Sequence, residues 1–340
     1  MTTDREQILE AASVAAGVAR RFHIREQVTE SNSTRVDPFA VAAQAEVCVI
    51  RKPMQHLLGA YLRNPESPPG IIINSERPTG LINLTCAHEL GHHFLDHPTT
   101  QDFDMFDHGE IREKAADMFA YRLMAPKWLI DWNIRQLQLT RAKIAEPFWQ
   151  YQLSLRLGLS YRATRITLRR VNYLTPRAFR ESDGIEPREI KLSIIGPQID
   201  FDLRNDVWFA TEADQAVVLA PAPNDLIVLG PGSAVGSGYV WTVPQAEEHG
   251  FSVEQVGNRD EPIGDHPLIG GESILKAAAR YTQEGELRDH PQQVIRFEEV
   301  RPWSRGTPAR ALDFSLRYSE RTEGLDYFAR QAMIEASDDG

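Results

Sequence analysis

The sequence predicts a mixed α+β protein built from three segments, residues 1–130, 131–182 and 183–340. Three observations predict this class. The first segment alternates apolar runs of helical spacing with short strand-like runs, the second is helical and rich in Leu and Arg, and the third consists mainly of short apolar runs bounded by turn-forming residues. With 340 residues and 42 % apolar content, the chain is long enough for more than one core.

The first segment is predicted to combine a small sheet with helices. The pattern indicates a helix over Asp4–Phe22, a second helix from Thr79 to about residue 96, and a third from about Gly109 to Met124, ended by Pro126. The strand-like runs are Glu46–Ile50, Gly59–Leu62 and Gly70–Asn74. This order of elements is typical of a sheet packed against helices.

The middle segment contains two short helical patterns separated by LGLS, which is typical of a helix-turn-helix. Ser160 is positioned to cap the second helix. Residues 134–180 carry a net charge of +9, which leaves −20 for the rest of a chain of net charge −11. A basic island in an acidic protein indicates an anionic partner, nucleic acid first. The candidate contacts are Arg156, Arg162, Arg165, Arg169 and Arg170.

Two other interpretations of this segment remain open. The charges could form a solvated helix face, and the two helices could be a plain hairpin that connects two domains. In the third segment, the strand-like runs are KLSIIG, DVWFAT, AVVLAP, DLIVLG, YVWTVP, Val294–Phe297 and Leu312–Tyr318, and the helical patterns are Glu272–Leu287 and Gly324–Ala336. We expect an α+β sensor-like domain with one sheet and helices on one face, with a GAF-like fold as one option. Its Gly230–Gly238 loop is interpreted as a hairpin loop.

Composition and termini exclude several classes. No run approaches 18 apolar residues, so a transmembrane helix is not expected. The N-terminus lacks a basic stretch before its short apolar run and therefore predicts an amphipathic helix instead of a signal peptide. Two cysteines cannot form a disulfide framework, which fits a reducing compartment. We expect a cytoplasmic protein with no membrane partner.

Five of the ten histidines fall between positions 88 and 108, and two of them form the pattern His88-Glu89-Leu90-Gly91-His92. Residues four apart lie on one face of a helix, so His88 and His92 can both direct a ring nitrogen at one ion. Glu89 lies beside them, where it can reach a water molecule at that ion. The alternative is that both histidines merely fill a buried helix face.

A catalytic zinc site needs a third protein ligand and an open fourth position. Glu113 is the best candidate because it lies on the next predicted helix, and Asp117, one turn later, could hold a ligating histidine through its other nitrogen. Glu110, Asp107 and Asp117 itself are rivals for the third ligand. Three more histidines, His93, His97 and His108, are expected to serve in the core or on the surface, with oxyanion stabilisation as a lesser option.

These residues predict peptide hydrolysis. One Zn²⁺ per chain would polarise the peptide carbonyl and lower the pKa of bound water to about 7, while Glu89 would take the proton and return it to the leaving amine. Cys86 and Cys48 suggest a latent state, because a thiolate could ligate the zinc in place of water. Ordinary buried cysteines are the other interpretation.

The motifs resemble those of a known family. GIIINSERPTGLINLTCAHELGHHFLDH followed by EKAADMFAYRLMAP is similar to the ImmA/IrrE family of bacterial zinc metallopeptidases over about residues 40–130. The basic helices resemble the helix-turn-helix region of IrrE-like proteins, and the three-part layout is similar to that of the CapP-type peptidases of anti-phage operons. Many members have Glu where Ala115 stands, so Glu113 is the acid that opens this motif here.

The resemblance implies a zincin-like peptidase domain with zinc ligands His88, His92 and Glu113, and with Glu89 as general base. It also implies a selective activity: cleavage of a helix-turn-helix repressor, which derepresses a stress or anti-phage operon, with single-stranded DNA or DNA damage as the signal. The alternative is a DNA-binding transcriptional regulator whose zinc site is structural or inactive. The scissile bond and the oligomeric state stay open.

Overall fold

The computed structural model describes residues 3–64, 66–99, 110–196, 200–230, 239–244, 246–256, 276–281, 292–301, 303, 307–318, 323–325, 328 and 330. The chain divides into two compact units. The first comprises residues 1–133, 156–175 and 321–340, and the second comprises residues 134–155 and 176–320. The predicted middle segment, 131–182, contributes residues to both units, and the three-domain division stays a prediction.

Eleven α-helices lie in the described residues. They are α1 Asp4–Arg21, α2 Ile24–Glu30, α3 Pro38–Gln44, α4 Thr79–Phe94, α5 Ile111–Met124, α6 Lys127–Gln136, α7 Arg141–Ala145, α8 Pro147–Leu157, α9 Tyr161–Arg170, α10 Pro176–Glu181 and α11 Pro187–Ile195. None of these helices is long and apolar enough to cross a membrane. The short helices α2 and α3 were not predicted from the sequence.

Twelve strands occur in the described residues. They are β1 Cys48–Lys52, β2 Gly59–Asn64, β3 Ser67–Asn74, β4 Val207–Ala210, β5 Val218–Leu219, β6 Leu226–Leu229, β7 Val240–Thr242, β8 Phe251–Val256, β9 Lys276–Tyr281, β10 Gln292–Val300, β11 Arg310–Arg317 and β12 Gly324–Leu325. The mixed α+β class predicted from the sequence is therefore confirmed.

The first unit contains one four-stranded sheet in the order β12-β1-β3-β2. Strands β1 and β3 are parallel, whereas β2 and β12 pair antiparallel to their neighbours. Strand β12 lies near the end of the chain, and Leu325 pairs with Ile50 of β1. Because β12 pairs with β1, the two edges of this sheet are formed, among the described strands, by β12 and β2.

The ends of the helices are specified locally. Thr3 and Glu6 form a capping box at the start of α1, which confirms the helix start predicted at Asp4. Asp37 caps α3 by accepting hydrogen bonds from the backbone amides of Phe39 and Ala40, and Pro38 occupies the first helical position.

Helices α4 and α5 pack closely at a glycine. A Cβ atom on Gly91 would lie 3.1 Å from the Cα of Ala116 and 3.3 Å from the Cβ of Phe119, so a larger residue would push the helices apart. Phe94 stacks on Phe119 with ring centroids 5.6 Å apart. This contact positions the two helices that carry the candidate ligands.

The turn between α8 and α9 packs against the first turns of α4. Gly158 adopts a φ of +66°, and its carbonyl accepts a hydrogen bond of 3.0 Å from the buried amide of Asn83. The hydroxyl of Ser160 caps α9 by accepting from the backbone amide of Ala163, which confirms the predicted helix start. The predicted pair of short helices is present, and its turn packs against α4, the helix that carries the His-Glu-x-x-His pattern.

Substituting Gly80 by Ala should destabilise the protein strongly. The new Cβ would lie 2.4 Å from the carbonyl carbon of Leu159 and 2.6 Å from the amide nitrogen of Ser160, and neither backbone atom can rotate away. We expect a loss of about 1–3 kcal/mol or more in the free energy of unfolding, measured by chemical denaturation.

Gly17→Ala is the matched control for Gly80→Ala. Both glycines are helical, but nothing lies within 4 Å of a Cβ on Gly17, so this change should stabilise the protein by roughly 0.5–1 kcal/mol. Equal free energies of unfolding for the two variants would contradict the packing described for the α8–α9 turn.

The second unit contains two four-stranded sheets. Their orders are β5-β11-β10-β7 and β4-β6-β9-β8. Tyr281 of β9 contacts Tyr318, which follows β11, with ring centroids 5.0 Å apart. The expected single sheet with helices on one face is therefore wrong for the described residues, which form two sheets.

Three predicted elements of the third segment need correction. KLSIIG belongs to helix α11, because Ile190, Ile194 and Ile195 are buried at helical spacing, after a proline at the first helical position. Residues 276–281, predicted as helix, form β9. Gly324 and Leu325, the predicted start of the last helix, form β12. Residues 231–238 of the predicted hairpin loop lie outside the described residues.

Helix α8 is tied to the edge of β4 within the second unit. The side-chain amide of Gln152 donates to the carbonyl of Val207 and accepts from the amide of Phe209, as a neighbouring strand would. The hydroxyl of Tyr151 donates to Asp206, 3.0 Å away, and accepts from the amide of Val207. This face of α8 is thus used in packing against the chain's own sheet.

Candidate metal centre

Helices α4 and α5 bring three potential ligands together. The Nε2 atoms of His88 and His92 are 3.0 Å apart, and each lies 3.2 Å from Oε2 of Glu113. His88 and His92 are both 0 % exposed, whereas Glu113 is partly exposed. Among the described residues, these three form the group of His, Cys, Asp and Glu side chains that could hold a metal ion.

The donor set fits a zinc ion. In a tetrahedral site with bonds of about 2.0–2.1 Å, the ligand atoms lie about 3.3 Å apart. The three observed separations, 3.0, 3.2 and 3.2 Å, approach this value. Two imidazole nitrogens and one carboxylate oxygen are also a ligand set that zinc accepts in catalytic sites.

The carboxylate of Glu113 is held in its charged form. Burial raises the pKa of Glu113, but its hydrogen bonds to His88 and His92 outweigh burial and hold this pKa well below its usual range. A charged carboxylate between two imidazoles is the state that a cation requires. The electrostatics of the group therefore favour a positive ion at its centre.

Each histidine has a second hydrogen-bond partner on its other ring nitrogen. Nδ1 of His88 lies 3.0 Å from Oδ1 of Asp117, as the sequence predicted for a supporting residue. Nδ1 of His92 lies 2.9 Å from Nδ1 of His97, a residue for which the sequence predicted only a core or surface place. Burial, followed by the nearby His92, lowers the pKa of His97 to about 4.

Glu89 is 0 % exposed and lies against the edge strand. A Cβ atom on Gly59 of β2 would approach Oε1 of Glu89 to 2.8 Å and Cγ2 of Thr85 to 2.4 Å. The absence of a side chain at Gly59 therefore leaves room beside the Glu89 carboxylate. The sequence placed Gly59 on a strand but gave no sign of this contact.

The other acidic residues and histidines that the sequence offered for the site do not belong to the three-residue group, or lie outside the described residues. Glu110 is exposed and forms an ion pair of 2.8 Å with Arg112, so it does not join the three-residue group. His93 bonds through Nδ1 to the hydroxyl of Tyr61, 3.2 Å away, and burial lowers the pKa of His93. Asp107 and His108 lie outside the described residues.

Neither cysteine joins the group of potential ligands. Cys86 is buried on α4, and residues two apart on a helix are rotated by about 200°, so it faces away from His88. Cys48 is partly buried on β1. In this structure neither cysteine is placed as a ligand, and thiolate ligation in a latent state stays a prediction.

The five predicted DNA-contacting arginines differ in exposure. Arg156 is 1 % exposed and Arg165 is 5 % exposed, so the prediction of a phosphate contact is wrong for these two in this structure. Arg162 and Arg170 are exposed, and Arg169 is partly buried. DNA contact by these three stays a prediction.

Two of these arginines lie close to Tyr121 of helix α5. The guanidinium of Arg170 lies over the ring of Tyr121 at 4.5 Å from its centroid. Burial, followed by the charge of Asp117, raises the pKa of Tyr121 to about 12, and Arg170 and Arg162 oppose this rise. Both arginines are thus within electrostatic reach of α5.

A helix carrying His-Glu-x-x-His beside a second helix with a third ligand defines a peptidase of the metal-binding class. Residues 42–169 match the family Peptidase_M78, the IrrE N-terminal-like domain. This match to the IrrE N-terminal-like domain confirms, for this part of the chain, the resemblance to the ImmA/IrrE family that the motifs predicted. The closer likeness to CapP-type peptidases stays a prediction.

No curated protein matches the sequence significantly. Among solved structures, the cysteine protease inhibitor EhICP2 from Entamoeba histolytica is 22 % identical, and the match covers 34 % of this chain and 96 % of the inhibitor at a TM-score of 0.25. Amebosin is 18 % identical, with 34 % and 98 % covered and a TM-score of 0.26. These scores are too low to carry an argument about fold or function.

Proposed function

We propose that the chain is a zincin-like zinc endopeptidase that cleaves a helix-turn-helix transcriptional repressor in the cytoplasm and so derepresses a stress or anti-phage operon. The observation that carries this proposal is the triangle of His88, His92 and Glu113, with Glu89 on the same helix as the two histidines. The match of residues 42–169 to the Peptidase_M78 family supports peptide hydrolysis as the reaction.

The three ligands would hold one zinc ion per chain. When bound, zinc supplies Lewis acidity to the carbonyl group and to the attacking water. Glu89 is the general base: a carboxylate oxygen takes the proton from the water and returns it to the leaving amine nitrogen. Asp117 holds His88 through Nδ1 and so leaves Nε2 as the nitrogen that would ligate the metal.

One edge of β2 is not covered by any described strand, and this free edge offers a place for the substrate backbone. The amide of Asn74 donates to the carbonyl of Leu58, so the antiparallel register directs the backbone groups of Leu58, Ala60 and Leu62 toward β3. The backbone groups of the alternate residues, starting with Gly59, face the free edge. An extended substrate segment can add to this edge beside Glu89.

The far end of this edge is already occupied. The hydroxyl of Thr99 accepts a hydrogen bond of 3.0 Å from the amide of Arg63 and donates to the carbonyl of the same residue. Arg63 also pairs with Asp96 through its side chain. Substrate pairing is therefore restricted to Gly59 and Tyr61, which suits a short extended stretch in the repressor.

The proposed signal is single-stranded DNA. The exposed Arg162 and Arg170, in a segment of net charge +9, support an anionic effector near α9. The burial of Arg156 and Arg165 weighs against the alternative function, a regulator that inserts α9 into duplex DNA. Cleavage of the repressor and the response to DNA are therefore proposed together as one regulated activity.

The test combines the purified protein, zinc and the helix-turn-helix repressor encoded nearest to its gene, with or without single-stranded DNA. We expect a single cut, identified by mass spectrometry, that depends on DNA. Cleavage without DNA would support the proposed peptidase activity but would indicate that the arginines bind the substrate instead of a DNA signal. An intact repressor in every reaction, with zinc bound stoichiometrically, would contradict this substrate and favour the DNA-binding regulator.

A further inference from the structure

His92 has close partners on both ring nitrogens. Its Nε2 atom faces the candidate metal position, 3.0 Å from Nε2 of His88 and 3.2 Å from Oε2 of Glu113. Its Nδ1 atom lies 2.9 Å from Nδ1 of His97, and the ring centroids are 5.0 Å apart. A contact between two imidazole nitrogens at this distance requires one of them to donate and the other to accept.

The direction of this hydrogen bond follows from ligation. A neutral imidazole that ligates through Nε2 carries its proton on Nδ1. Nδ1–H of His92 therefore donates, and Nδ1 of His97 accepts through its lone pair. His97 is then the tautomer whose own proton lies on Nε2. The bond fixes both the tautomer and the rotation of the His92 ring.

The backbone holds His97 in the accepting position. Asp96 adopts a φ of +60° just after α4, which reverses the chain. The amide of His97 then donates to the carbonyl of His92 over 2.9 Å. The same residue pair is thus linked through the backbone and through the rings. Such a double link gives His97 little freedom to leave His92.

We propose that His97 is a positioning residue that accepts the Nδ1 proton of His92 and so presents Nε2 of His92 to the metal. It is the counterpart of Asp117, which occupies the corresponding position on His88. The two supporting groups differ in chemistry: one is a carboxylate, the other an imidazole. This inference rests on the proposed function, because it presupposes a metal at His88, His92 and Glu113.

The test measures zinc affinity of metal-free protein by competition with a chromogenic chelator. His97→Leu removes the acceptor, and we expect the dissociation constant for zinc to rise about 10–100-fold. His97→Gln retains an acceptor oxygen and should restore most of the affinity. His56→Leu, at an exposed histidine far along the sequence from the ligands, is the matched control and should bind zinc as the unmodified chain does.

Three outcomes separate the two proposals. If His88→Ala loses zinc and His97→Leu binds it as tightly as the unmodified chain, the metal centre stands and the role of His97 is wrong. If the unmodified chain binds no zinc, both proposals are overturned. If His97→Leu and His97→Gln are weakened equally, the acceptor role is wrong, because glutamine should rescue it.

A second measurement does not depend on any variant. Long-range ¹H–¹⁵N correlation spectra of the zinc-loaded protein report which ring nitrogen of each histidine carries the proton. We expect a protonated Nδ1 on His92 and an unprotonated, accepting Nδ1 on His97. A proton on Nδ1 of His97 would overturn the proposal even if the leucine variant failed to fold.

Discussion

Glu89→Gln should abolish peptide hydrolysis and leave metal binding intact. Glu89 lies on α4 between the two candidate histidine ligands but is not a member of the three-residue ligand group. An amide has nearly the same shape as a carboxylate, yet it cannot take a proton from water. General acid–base groups contribute about 10²–10⁴-fold, so we expect kcat to fall by a factor in this range or more.

The measurement for Glu89→Gln is a cleavage assay on the repressor, with the zinc content of the same sample determined by atomic absorption. Glu10→Gln, an exposed change on α1, is the matched control and should cleave at the unmodified rate. A Glu89→Gln protein that contains zinc and still cleaves would show that Glu89 is not the base. Loss of zinc in the Glu89→Gln variant would contradict the assignment of the metal ligands to His88, His92 and Glu113 without Glu89.

Gly59→Ala should impair both activity and folding through a single methyl group. The added Cβ would lie 2.4 Å from Cγ2 of Thr85 and 2.8 Å from Oε1 of Glu89, so the strand or the carboxylate must shift. A displacement of about 1 Å in a catalytic group can cost about 10²-fold in rate. Overpacking of this kind also costs about 1–3 kcal/mol in the free energy of unfolding.

The effect of Gly59→Ala is measured by kcat/KM for the repressor and by denaturant unfolding. Gly70→Ala on the neighbouring strand β3 is the control, because its Cβ would meet the Cys48 carbonyl oxygen at 3.7 Å, an ordinary contact distance. Activity should therefore survive at position 70. Unchanged activity in Gly59→Ala would mean that the carboxylate of Glu89 tolerates displacement, against the proposed geometry.

The sequence anticipated the parts of the site that lie on one helix or on two helices that follow one another along the chain. The spacing of His88 and His92 places them on the same face of α4, because a helix repeats every 3.6 residues. Glu113 and Asp117 lie one turn apart on α5, and each approaches His88 through a different ring nitrogen. Helical periodicity predicts which of these residues share a face. The third ligand is predicted as an acidic residue on the next helix along the chain.

Other parts of the fold could not be predicted, because they depend on pairing between strands that are far apart in the sequence. Ala277, Ala278 and Ala279 are fully buried in β9, although alanine is the strongest helix former. Pairing with β6 and β8 on either side outweighs that propensity. The strand β12 is another such case, since its place beside β1 depends on the pairing of Ile50 with Leu325, 275 positions later in the sequence.

The sequence by itself determined the class of the reaction site: two histidines and a glutamate on one helix, an acid on the next, and a mixed α+β fold around them. Only the tertiary structure decided that Gly59 lies against Glu89, that His97 supports His92, and that Arg156 and Arg165 are buried. The physical reason is that helical periodicity fixes which residues share a face, whereas packing between elements fixes what that face meets.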